Sequence, residues 1–213
     1  MTVVTIAAPV RRADAARNRA RIVAAAREAF VEHGAMASLD EIARRAGVGN
    51  ATLYRNFADR QTLIQQVSIA VMERIVAHAH AALAEEPDSF AAFSRFVHAA
   101  AEERIGALCP LLSDTIDREE PELAEARAEM KQVTEDLVAR AQADGLLRTD
   151  VGAGDIVVAM AQLTRPLPGF GCLDLDPHVR RHLQLLLDGL RAPAPSALPG
   201  RAATLEDLTP RSA

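Results

Sequence analysis

Cysteine is scarce in this chain. It has two, Cys109 and Cys172, far apart and outside any CxxC spacing. That excludes a disulfide framework and the common cysteine-based zinc motifs. It also makes a reducing cytoplasm the natural compartment. Lysine occurs once, at Lys131, so every other base is arginine. Alternating β-branched runs are nearly absent. The short run Ile156-Val157-Val158 is followed by Ala159 and Met160, a helix-like context. No apolar run approaches the ~18 residues of a membrane span, which argues against an integral membrane protein. No repeat of 20–50 residues stands out, so a solenoid is not indicated. At the N-terminus an apolar stretch precedes Arg11 and Arg12, the reverse of a secretory signal.

What is present is mostly helix former. Ala, Leu, Arg and Glu dominate the 213 residues. That predicts an all-α fold. The 24 basic and 29 acidic residues give a net charge of −5, which as an average leans away from nucleic acid. The average hides a split. Residues 1–60 hold ten Arg and six Asp or Glu, a net of +4. Residues 61–213 carry −9. A basic N-terminal third on an acidic remainder implies two jobs.

Helix periodicity and punctuation divide the chain further. Residues 1–13 read as a flexible arm. Ile22, Ala26, Ala29 and Phe30 form one face of a first helix from about Asp14 to His33, and Gly34 suits its C-terminal cap. Ser38-Leu39-Asp40-Glu41 has the capping-box pattern and opens a second helix with Leu39, Ile42, Ala43 and Ala46 as its stripe. A third runs from about Asn50 to Phe57. Asp59 caps a fourth that reaches about Leu83. Beyond Pro87 the helices lengthen. One carries Phe90, Phe93 and Val97. Another starts at Pro121 and ends at Gly145. The last two cover about 155–165 and 177–191. The Pro- and Ala-bearing tail 192–213 is expected to hold little fixed structure.

Residues 38–57 carry the functional signal. Two short helices meet at Gly47-Val48-Gly49, and the second buries Leu53 and Phe57. Asn50, Thr52, Tyr54, Arg55 and Asn56 remain outward. This is the anatomy of a helix-turn-helix, whose second helix enters the major groove. Such side chains bond phosphates or base edges, and none is acidic. Arg44, Arg45 and Arg60 add positive charge beside them, and Arg45 and Arg60 are counted with the DNA-binding candidates. Any pair of packed helices shares the helix–glycine–helix outline. The capping pattern, the glycine turn and the acid-free second helix occur here in order, inside the basic third.

The run Glu41-Ile42-Ala43-Arg44-Arg45-Ala46-Gly47-Val48, with Thr52-Leu53-Tyr54-Arg55-Asn56-Phe57 after it, closely resembles the DNA-binding signature of TetR-family transcriptional regulators. The likeness extends back to Arg21 and on to Leu63, a little over forty residues. It implies a three-helix DNA-binding domain over 14–60 and a helical regulatory and dimerisation bundle over 61–191. It also implies a two-fold homodimer on a pseudo-palindromic operator in double-stranded DNA. At matching positions it implies that Ser38, Tyr54 and Arg60 meet phosphate. Asn50, Thr52, Arg55 and Asn56 would face bases or phosphates. Asn50 and Ala51 fall at variable positions, so relatives do not give the operator. A bacterial source suits the family and the Arg and Ala bias.

In the acidic half, Leu163, Val179, Leu183, Leu186, Leu187 and Leu190 form an apolar patch assigned to the dimer interface. Phe93, Phe96, Met130, Thr134, Leu137, Met160 and Phe170 are candidates for lining an effector pocket; plain core is the other reading of them. His178 and His182 are four apart but lack a third ligand, so no metal and no cofactor are expected. The leading function is a repressor released from its operator by a small molecule. A constitutive or partner-tuned DNA-binding regulator is the alternative. An all-helical enzyme is remote, for no nucleophile–base pair or phosphate-binding glycine loop is present.

Overall fold

A computed structural model of the chain describes residues 8–104, 120–165 and 176–208. The described residues form eight α-helices and no strand. These are α1 (Ala8–His33), α2 (Leu39–Arg45), α3 (Asn50–Asn56), α4 (Arg60–Glu85), α5 (Ser89–Glu102), α6 (Pro121–Ala143), α7 (Ala153–Leu163) and α8 (Asp176–Leu190). The first helix therefore begins before Asp14 and takes up part of the expected arm. Phe170, Cys109 and Cys172 lie outside the described residues.

The chain divides into two compact units, with the break between Ala70 and Val71 inside α4. The break expected at residue 60 misses this, because the first turns of α4 bury Leu63, Ile64 and Val67. Residues 61–70 hold no charged side chain, so the split of charge survives the shift.

The N-terminal unit is built on α1. Ile22, Ala25, Ala26, Ala29 and Phe30 are buried on it, at helical spacing. Ile42 and Ala43 of α2, Leu53 of α3, and Phe57 complete this core. The Asp59 carboxylate caps α4, accepting from the Thr62 amide at 2.7 Å and the Thr62 hydroxyl at 2.9 Å.

In the second unit, α5 packs on α6 and α8, and α7 packs on α6 and α8. Asp88 caps α5 by accepting from the Ala91 amide at 2.7 Å. Pro121 takes the first turn of α6, where its missing N–H costs nothing. Glu120 accepts from the Leu123 amide beside it at 2.8 Å. Glu103, buried at the end of α5, accepts two bonds from the Arg74 guanidinium on α4, at 2.9 and 2.8 Å. Asp155 stands at the third position of α7, which spans Ala153–Leu163 rather than the expected 155–165. The helix starts earlier, and the Asp155 carboxylate reaches back to the Gly152 amide at 2.8 Å.

One expectation fails here. The tail is not loose over residues 192–208. It crosses α7 as a strap. The Ala203 carbonyl accepts from the Gly154 amide at 3.0 Å, and the Ala203 amide donates to Asp155 at 3.0 Å. Gly152 and Gly154 permit this approach, since a Cβ on either would run into the Ala203 and Thr204 backbone. Arg148 anchors the strap from below. It grips Asp150 at 2.6 and 2.9 Å and donates to the Ser196 carbonyl at 2.7 Å. Asp150 in turn accepts from the Leu198 amide at 3.0 Å. Farther along, Arg201 pairs with Asp207, and Lys131 with Glu206. Proline and alanine content suggested disorder because it is blind to partners of this kind.

Helix α4 is, by length and average composition, apolar enough to cross a membrane, with a mean hydropathy of 1.3 over 18 residues. Scattered Gln, Ser, Glu, Arg and His break its apolar run without lowering the average much. Half of that window is buried inside the protein, as for a core helix.

Candidate nucleic-acid interface

The interface is assembled from α2, the turn after it and α3. Ile42 and Ala43 hold α2 to the core, and Leu53 holds α3. Between them the chain reverses through Gly47, whose φ of +63° is a conformation that side chains rarely adopt. The Val48 amide donates to the Ala43 carbonyl at 3.0 Å and closes the turn. The Gly49 carbonyl then accepts from the Thr52 amide at 2.8 Å and starts α3.

Three side-chain ties fix α3. Asn50 donates from Nδ2 to Asp40 Oδ1 on α2, at 2.7 Å. Arg21 on α1 donates to the Gly47 carbonyl at 3.2 Å. Arg19, also on α1, donates to the Asn56 carbonyl at 3.1 Å and covers the Phe57 ring. The last two escaped the sequence reading. Their spacing from the α3 residues is long, and an arginine in a basic segment reads as a phosphate contact.

The outward face of α3 is then set. Asn50, Tyr54 and Arg55 are exposed, and Thr52 and Asn56 are half-buried. Tyr54 is 52% exposed, high for a large aromatic residue. Arg55 lies back along the helix, donating to the Ala51 carbonyl at 2.9 Å and to the Thr52 hydroxyl at 3.3 Å. Asn56 donates to the Thr52 carbonyl at 2.7 Å. α3 itself exposes no acid.

Residues 22–67 match the family model for bacterial regulatory proteins of the tetR family. Residues 86–192 match the model for the C-terminal domain of SbtR-like transcriptional regulators. The chain belongs to the TetR family. Solved structures agree. A TetR transcription regulatory protein from Mycobacterium vanbaalenii is 33% identical, with a TM-score of 0.59 over 85% of this chain and 99% of that one. A TetR transcriptional regulator from Streptomyces coelicolor, SCO0520, is 29% identical, with a TM-score of 0.63 over 83% of this chain and 99% of that one. No curated protein matches the chain by sequence.

This TetR-family chain is a DNA-binding transcriptional regulator. Its members bind DNA and act as dimers. Several expected site residues nevertheless sit differently from their sequence reading. Ser38 is at the N-cap of α2 and exposed, but its side chain makes no capping bond. Glu41, its expected capping-box partner, is held instead by Arg44 at 2.8 and 2.7 Å and by Arg45 at 2.8 Å. These guanidinium groups, Arg44 first, hold the Glu41 carboxyl down at about 2. Arg45 also forks onto Glu32 of α1 at 2.8 and 2.6 Å. Its charge is therefore matched within the fold by Glu32 and Glu41. Arg60 donates to the Ala37 carbonyl at 2.5 Å and joins α4 to the loop before α2.

In the second unit the leucines need correcting too. Leu183, Leu187 and Leu190 are buried within the single chain. Helix α8 has apolar residues on more than one face, and the sequence pattern does not say which face meets its own chain. Leu163, Val179 and Leu186 are half-buried. The apolar side chains that do stand outward on these helices are Val158 on α7 and Leu185 on α8. Among the pocket candidates, Phe93, Phe96, Thr134, Leu137 and Met160 are buried, and Met130 is half-buried. The Thr134 hydroxyl donates to the Met130 carbonyl of its own helix at 2.7 Å. Among the described residues no three His, Cys, Asp or Glu side chains group as metal ligands would.

Proposed function

We propose that the chain is a repressor whose homodimer binds a pseudo-palindromic operator through α3, and that a small molecule in the second unit releases it. The observation that carries the DNA half is the face of α3. Asn50, Thr52, Tyr54, Arg55 and Asn56 lie on a short helix tied from α1 and α2, with no acid among them. Arg55, exposed on that face, supplies a phosphate or guanine contact. Ser38 and Tyr54 supply hydroxyls for phosphate. In the dimer, Val158 and Leu185 on α7 and α8 meet the second copy, with Leu163, Val179 and Leu186 beside them.

Release follows if the effector binds more tightly to a state whose two α3 helices are wrongly spaced. Phe93, Phe96, Met130, Thr134, Leu137 and Met160 belong to α5, α6 and α7, of which α6 contacts the other two, and would line the effector site; Phe170, the remaining candidate, lies outside the described residues. A second reading drops the effector and keeps the DNA face. It is favoured by the deep burial of five of these side chains and by the inward bond of the Thr134 hydroxyl.

Selection of bound fragments from genomic DNA with the purified protein tests the operator reading. A recovered inverted repeat, bound with an affinity that falls steeply with salt, supports it. Equal binding to all sequences sinks it. A thermal-shift screen of apolar small molecules tests the effector. A compound that raises the melting temperature and frees the operator supports release; stabilisation without release favours the second reading.

A further inference from the structure

We infer that Asp40 is a specificity-determining residue: by holding Asn50, it sets the first residue of α3 to read adenine in the major groove. The inference rests on the operator reading above and names one base within it. Asn50 Nδ2 donates to Asp40 Oδ1 at 2.7 Å, across the two helices of the motif. Both side chains are exposed, so the pair faces whatever α3 meets. An ionised carboxylate only accepts hydrogen bonds. It therefore fixes which end of the amide points at α2, and the amide cannot turn over without setting oxygen against oxygen.

What is left to Asn50 follows from its inventory. The amide has two N–H donors and one carbonyl oxygen. Asp40 engages one N–H. One N–H and Oδ1 remain for the partner. Adenine offers N7 as an acceptor and N6–H as a donor, and both are satisfied at once by that pair. Guanine offers two acceptors, O6 and N7, so Oδ1 would face an acceptor. Cytosine offers a donor alone. Thymine offers an acceptor and a methyl group. Adenine is the base that uses both remaining groups of Asn50. The position suits the task, since the opening residues of a recognition helix are those that reach base edges. Asp40 would not touch the DNA; it acts through Asn50 and is a positioning residue.

The test uses the full-length chain and a random-sequence double-stranded DNA library. Wild type, Asn50→Ala and Asp40→Asn are each taken through selection. Affinity for the wild-type site is then measured, and for the same site with one base changed. Asp40→Asn keeps the shape of the side chain and removes the rule that it must accept, so it separates positioning from folding. Circular dichroism melts confirm that each variant is folded. For wild type, an adenine is expected at one symmetric position of each half-site, and changing it is expected to weaken binding about 5- to 150-fold. Asn50→Ala should erase the preference at that position alone, with the salt dependence unchanged. Asp40→Asn should relax the same position, with binding to random DNA unchanged. An enriched site without an Asn50-dependent adenine overturns the inference and leaves the operator reading standing. An Asp40→Asn variant that keeps the full adenine preference also overturns it. If wild type enriches no sequence, the operator reading falls and this inference falls with it.

Discussion

Arg19 on α1 lies over the Phe57 ring with its guanidinium carbon 4.6 Å from the ring centroid, and it donates to the Asn56 carbonyl next door at 3.1 Å. One side chain thus holds the end of α3 by a ring face and a carbonyl together. Arg19→Ala removes both contacts. It should destabilise the chain by about 1–2 kcal/mol, the scale of a cation–π contact plus a charged hydrogen bond. Urea unfolding measures this. The DNA readout separates roles: the preference for operator over random DNA should fall, while the salt slope stays as in wild type. A slope reduced by about one would mean that Arg19 touches phosphate instead.

Gly47 turns the chain at a φ of +63°. Gly47→Ala puts a side chain into a left-handed conformation, which costs about 1–2 kcal/mol. Its Cβ would also displace the Arg21 guanidinium. A lower melting temperature and weaker operator binding are expected together, by calorimetry and mobility shift. Unchanged values would show that the turn relaxes freely.

The acidic limb of stability should trace the Glu41 network. Arg44 and Arg45 hold Glu41 down at about 2, and Arg45 lowers Glu32. A carboxyl whose folded value lies below its unfolded value stabilises above the unfolded value. That contribution is lost as pH falls from about 4.5 towards 2. Melting temperatures taken across that window should drop, and Glu41→Gln should flatten part of the drop. Asp150 and Asp207 are lowered too, by Arg148 and Arg201, so Glu41→Gln should not remove it all.

The strap gives a deletion test. Ending the chain at Ala192 removes the partners of Arg148, Asp150 and Asp155 supplied by Ser196, Leu198 and Ala203. A melting temperature lower by several degrees is expected. Urea unfolding of Asp150→Asn should reproduce part of the loss. A truncated chain that melts like the full one would show the strap to be passive.

Two leucines of α8 should behave in opposite ways. Leu187 is wholly buried, whereas Leu185 is 59% exposed. Leu187→Ala should cost about 2–5 kcal/mol as a core cavity. Leu185→Glu should leave the melt of the single chain almost unchanged and shift sedimentation towards the monomer. Dimers that survive Leu185→Glu would place the dimer contact elsewhere.

The legible part of this protein was local. Helix starts written as a carboxylate or proline before an apolar run, as at Asp59 and Pro121, were readable because cap and helix lie within four residues. The signature over residues 38–57 was readable for the same reason. Less legible was anything set by a distant partner. Glu41 looked like half of a capping box, yet two arginines outcompete the Ser38 amide for it. The fork of Arg45 onto Glu32, on another helix, has no local signal in the sequence. The α8 leucines had a periodicity, but periodicity names a face and not what covers it. The strap depends on Arg148, which nothing in the tail's own composition reveals.

The break between the two units falls inside α4, with helix on both sides of it. No loop interrupts the helix there for swapping one C-terminal unit for another. A chimera joined there is joined helix to helix. Each residue inserted or removed turns the helical face beyond it by about 100°. Exchanges made in steps of seven residues almost restore the phase, while steps of two reverse it. Recombination between relatives of this chain is therefore constrained to a ruler rather than to a cut site.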